Sequence, residues 1–181
     1  MNVHAKINIK IPKEISEITE RMKYRMITLY VLFINKKSFT KNASIYFPQK
    51  EVLFTRIYEP KNRSKYMAPI DKTCIVIEVP SNQKIINDTN KINQLDSIKT
   101  FLISKKLINK TDVISQKIIE MPYAYPVLDV NLYKRINQVK YFFQKIQNLD
   151  IMGRSGEFEY LHVHDLFDKA KTYINTFKNI Q

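Results

Sequence analysis

The chain has 181 residues, 44% of them hydrophobic and 26% charged, enough to bury one core or one and a half small ones. No apolar run reaches the roughly eighteen residues that span a bilayer, the N-terminus has no signal-peptide core, and one cysteine, Cys74, excludes an internal disulfide framework and suits a reducing cytoplasm. The net charge of +13 attracts anions, yet the lysines are scattered without a long run, which favours a small phosphate-bearing ligand over nucleic acid.

Val3, Ala5, Ile7 and Ile9 alternate with polar residues and predict a strand. Pro12 opens a helix to about Tyr24, with Ile15, Ile18 and Met22 on one face. Arg25 to Ile34 is apolar on both faces and predicts an interior strand. Ser44 to Phe47 and Glu51 to Tyr58 predict a hairpin, in which Val52, Phe54, Arg56 and Tyr58 share a face. An arginine on such a face needs a partner or a ligand cavity, unless it lies at a solvent rim. Thr73 to Pro80 predicts another strand, with Thr73, Ile75, Ile77 and Val79 on one side and Cys74, Val76 and Glu78 on the other. Glu78 is placed to meet an arginine on a neighbouring strand, and Cys74 reads as a small buried hydrophobe.

Residues 81–93 predict a polar loop, followed by a helix to about Lys106 with the stripe Ile92, Leu95, Ile98 and Leu102. Asp112 predicts an N-cap, Gln116 to Met121 a strand, and Pro122 to Pro126 a tight turn. Leu132, Ile136, Val139, Phe143 and Ile146 trace one helical face from Asn131 to Asn148. Leu149 to Met152 predicts a short strand, and Leu166, Ala170, Tyr173 and Phe177 mark a closing helix.

Both glycines of the chain fall in one tetrapeptide, Gly153-Arg154-Ser155-Gly156, between that strand and that helix. The backbone there either turns sharply or comes close to a ligand. Strand, Gly-x-x-Gly and helix form a workable anion site, to which Arg154 adds a planar cation. With two glycines, neither a Gly-x-Gly-x-x-Gly fingerprint nor a Walker loop exists in this sequence. His162 and His164 suit two metal ligands, but no third ligand is suggested by spacing.

The order TRIYE (Thr55 to Glu59), TCIVIEVP (Thr73 to Pro80), AYPV (Ala124 to Val127), LYKR (Leu132 to Arg135) and GRSGEFEYLHVHD (Gly153 to Asp165) resembles the C-terminal half of UDP-galactopyranose mutase. It is equally similar to the related FAD-dependent amine-oxidase-like oxidoreductases of surface-polysaccharide clusters. The resemblance implies an α+β fold: residues 1–128 as a mostly antiparallel substrate-binding sheet with flanking helices, and residues 129–181 as the strand-loop-helix that completes an FAD-binding domain. It implies that Gly153, Arg154, Gly156 and His162 contact FAD, and that Arg56, Tyr125 and Tyr160 contact substrate. It also implies redox or covalent chemistry at the flavin, with a sugar nucleotide or other small molecule as substrate. The N-terminal dinucleotide-binding half of that family has no counterpart in this sequence, so a truncated chain, a separate FAD-binding partner chain or a homo-oligomer is expected. A non-catalytic module that binds a nucleotide sugar or a protein is the alternative, and a basic nucleic-acid-binding protein the third.

Overall fold

The computed structural model describes residues 9–81, 87–128 and 130–178. It mixes helices with an antiparallel sheet and divides into two compact units, Arg25–Ala124 and Met1–Tyr24 with Tyr125–Gln181. The strand expected from Val3 lies, apart from Ile9, outside the described residues.

In the first unit the sheet runs β2 (Ser44–Tyr46), β3 (Arg56–Tyr58), β4 (Thr73–Ser81), β1 (Tyr24–Ile34) and β5 (Val113–Pro126) in that order. Strands β1 (Tyr24–Ile34) and β4 (Thr73–Ser81) sit inside it because their β-branched, apolar sequences tolerate burial on both faces. They pair antiparallel from Met26↔Ser81 to Ile34↔Thr73, and β3 (Arg56–Tyr58) lies antiparallel between β4 and β2 (Ser44–Tyr46). One face is closed by α2 (Asp88–Ser104), whose Leu95, Ile98 and Leu102 pack against Tyr30, Leu32, Ile34, Ile57, Ile75 and Ile77. Helix α2 begins earlier than the polar sequence suggested, because the Asn87 side chain caps it by accepting from the Asn90 amide at 2.9 Å. Its buried stripe includes Lys91, while Ile92 is more than half exposed.

Several local expectations give way to tertiary context. The second hairpin strand keeps only its last three residues: Val52 closes a turn on Gln49, and Phe54 plugs the core edge-on to Phe47 and Phe101. Asp112 is not an N-cap but the last residue of a 3-10 turn capped by Asn109, whose amide donates to its carboxylate at 2.6 Å. Strand β5 (Val113–Pro126) runs through Pro122 without turning, which is possible because it lies at the sheet edge.

Two side chains lock the loop after β3. The carboxylate of Glu59, fully buried, accepts from the amides of Phe39 and Thr40 and from Thr73 Oγ1 at 2.6 Å. The ammonium of Lys61 donates to the carbonyls of Lys37, Pro69, Ile70 and Lys72 at 2.6–3.1 Å.

The second unit is helical. Helix α1 (Lys13–Arg21) buries Ile15 and Ile18 against Val139 and Phe143 of α3 (Leu132–Gln144), with Leu149 and Ile151 at the margin. The predicted α3 stripe holds, from Leu132 through Phe143 buried and Ile146 at the edge of the core. The strand expected at Leu149 to Met152 does not form: these residues belong to no strand, and the Leu149 amide closes a turn on the Ile146 carbonyl instead. Gly153–Gly156 forms one helical turn, α4, and α5 (Val163–Lys178) closes the unit.

Candidate functional site

The two glycines of α4 answer to different constraints. Gly153 has φ +90, a region that L side chains avoid, and a Cβ there would meet nothing within 4 Å. Gly156 has ordinary backbone, but a Cβ would stand 3.1 Å from Ile151 Cγ2. The turn is held from outside by Tyr24, whose hydroxyl donates to the Ser155 carbonyl at 3.2 Å. It is also closed by Glu157, whose carboxylate accepts from the Gly153 amide at 3.1 Å. That amide is therefore already turned to an internal anion. What Gly153 leaves open is the side of the backbone where a Cβ would be.

Next to this turn the guanidinium of Arg154 lies 4.7 Å from the ring centre of Tyr125 and 4.5 Å from that of Tyr160. The two phenol rings stack at 5.8 Å and 22°. A cation against two aromatic faces gains about 0.5–1 kcal/mol per ring where water still reaches it. The row continues, with the His162 ring edge-on to Tyr160 at 5.6 Å and stacked on His164 at 5.5 Å. Of the residues singled out from the sequence, Arg154, Tyr125, Tyr160 and His162 therefore share one aromatic row beside Gly153. A cavity of about 100 Å³ opens beside Tyr160, lined by Leu128, Leu132, Ile136, Lys140 and Phe158. No group of three metal-ligating side chains exists among the described residues.

The row stands on an ion network that sequence spacing did not reveal. Lys140 of α3 donates to Glu159 at 2.7 Å, and Lys169 of α5 donates to Glu157 at 2.7 Å and to Glu159 at 3.2 Å. The hydrogen bond from Lys140, with that from Lys169, holds the Glu159 carboxyl below its ordinary value. The only sign in the sequence is the alternation Glu157-Phe158-Glu159, which places both carboxylates around a buried phenylalanine.

Arg56 belongs to the sheet unit. It sits directly across from Glu78 in the β3–β4 register, and Nε donates to Oε2 at 3.0 Å while Nη2 pairs with Oε1. The partner anticipated on a neighbouring strand is this one. The Glu78 hydrogen bond holds the guanidinium still more firmly in its charged form. The arginine also lies 5.1 Å from the ring of Tyr58, which the sequence places on the same face, and 5.9 Å from that of Tyr46, which it does not. Cys74, on the same strand as Glu78, is half-buried, and burial pushes its thiol up.

Comparison with curated protein sequences finds no match. Among solved structures, reduced UDP-galactopyranose mutase superposes with a TM-score of 0.65 at 18% identity, over 77% of this chain and 30% of that one. A putative protoporphyrinogen oxidase from Exiguobacterium sp. 255-15 superposes with a TM-score of 0.62 at 14% identity, over 90% of this chain and 36% of that one. The chain thus spans about a third of the length of these structures, and the likeness concerns the fold. The family model for UDP-galactopyranose mutase matches residues 10–113, which include the hairpin, the Arg56–Glu78 pair and α2. By that match over more than half of its length, the chain belongs to the UDP-galactopyranose mutase family.

Proposed function

We propose that this chain is the substrate-binding sheet and the closing helical portion of an FAD-dependent oxidoreductase or sugar-nucleotide mutase-like flavoprotein of surface-glycan biosynthesis. In this reading an N-terminal dinucleotide-binding half, in the same or another polypeptide, holds most of the cofactor. The observation that carries it is the guanidinium of Arg154 against two stacked tyrosine rings, next to a glycine whose Cβ side is open. These residues fit a flat, electron-rich ring system better than a phosphate, because the Gly153 amide is already engaged by Glu157. Gly153, Arg154, Gly156 and His162 would hold the flavin, and Arg56, Tyr125 and Tyr160 the substrate. When bound, the flavin supplies redox or covalent chemistry, while this chain orients the substrate and screens the site from water. Helix α5 also suits a larger assembly: Val163, Phe167 and Ile174 on it are each more than half exposed.

The test is flavin fluorescence during titration of FAD with the chain combined with an N-terminal dinucleotide-binding half from a family member. Saturable quenching is expected, weakened about tenfold in Arg154→Ala, a difference of about 1.4 kcal/mol. No saturable quenching, together with intact binding of UDP, points instead to a nucleotide-sugar-binding module without flavin chemistry.

A further inference from the structure

The sheet face turned away from α2 carries a second cation, Arg63, beyond the run Thr55 to Glu59. Tyr46, Arg56 and Glu78 form one row across β2, β3 and β4, and Tyr58 and Val76 form the next. Arg56 is an incomplete anion receptor. Two of its nitrogens are committed to the Glu78 carboxylate, so the pair carries no net charge, and an approaching polyanion meets that carboxylate as well. Arg63 stands differently. It is exposed, its guanidinium lies 5.2 Å from the centre of the same Tyr58 ring that Arg56 touches, and it has no ion pair among the described residues. Its backbone is fixed: the Arg63 amide donates to the Pro60 carbonyl at 2.9 Å, and the neighbouring Asn62 side chain donates to the carbonyls of Thr40 and Asn42 at 2.8 and 2.9 Å. Lys61, the other cation of this turn, is consumed by backbone carbonyls.

We propose that Arg63 supplies the net positive charge that holds the diphosphate of a nucleotide ligand on this face, with Tyr58 as the spacer between it and Arg56. Arg56, clamped by Glu78, gives direction, and Arg63 gives charge. This rests on the reading of the sheet as a sugar-nucleotide-binding surface and adds to it a residue outside the run TRIYE, Thr55 to Glu59.

The experiment is calorimetric titration of the 181-residue chain with UDP, and separately with inorganic pyrophosphate, at physiological ionic strength. Arg63→Gln is expected to weaken both ligands about tenfold, and Arg63→Lys to recover part of the loss, because a point charge lacks the planar fork. Lys65→Gln, which removes an exposed charge from the same loop, is expected to change affinity less than twofold. The proposal is overturned if Arg63→Gln binds as the unmodified chain does while Arg56→Gln does not, which leaves the sheet reading standing on Arg56 alone. Equal losses in Arg63→Gln and Lys65→Gln overturn it too, as bulk charge. Failure of the unmodified chain to bind either probe removes both the proposal and the sheet reading.

Discussion

At the scale of single residues, the two glycines of α4 show how one motif letter can stand for two physical demands. At Gly153 the demand is conformational, since φ +90 strains any L residue although its side chain would have room. At Gly156 it is steric, since the Ile151 branch stands 3.1 Å from where a Cβ would go. Gly153→Ala is therefore expected to cost about 1–2 kcal/mol of stability, and no change at Ile151 should restore it. Gly156→Ala is expected to be repaired in large part by Ile151→Leu, which moves the branch away from the contact. Urea midpoints of the two single variants and the two double variants measure this, and equal repair of both glycine variants would contradict it. The sequence showed that backbone freedom was concentrated here, and it could not show which glycine needed it. That distinction depends on Ile151, which the sequence placed in a strand and the fold places under the turn.

Among the elements, helix α3 was legible because its stripe, Leu132, Ile136, Val139 and Phe143, repeats over three turns and is buried along its whole length. Strands β1 and β4 were legible as apolar runs. The pieces that misled depend on partners distant in sequence. Residues 51–55 alternate like a strand, but Phe54 is drawn into the aromatic cluster with Phe47 and Phe101 instead. Pro122 looked like a stop, and an edge position made it harmless. The ion network joining α3, α5 and residues 157–159 was invisible for the same reason, since Lys140, Glu159 and Lys169 converge only after folding. It has a pH signature. Glu159 is held below its ordinary 4.5 in the fold, so the network contributes fully above that value and loses its contribution as pH falls through the depressed one. Glu159→Gln is expected to be less stable than the unmodified chain near neutral pH, the two converging as pH falls through the depressed value. Denaturant unfolding across that range measures it, and a gap independent of pH would mean that the carboxylate's charge is irrelevant.

Over the whole molecule, separate buried clusters imply separate stabilities. The sheet core around Ile75, Ile77, Leu95 and Ile98 and the helical core around Ile15, Ile18, Val139 and Phe143 share no buried residue. Ile98→Ala is expected to remove about 3 kcal/mol from residues 25–124, and Phe143→Ala a similar amount from the helical unit. Amide exchange should show each loss confined to its own unit, and spreading across both would mean that they unfold as one. The loop after β3 belongs to the sheet unit, and Lys61 gives it an unusual property. Four carbonyls around one ammonium reproduce the setting of a coordinated monovalent ion, with the ion tethered covalently. Acylation of that one amine would take away its charge and crowd the cage, loosening the turn that presents Arg63.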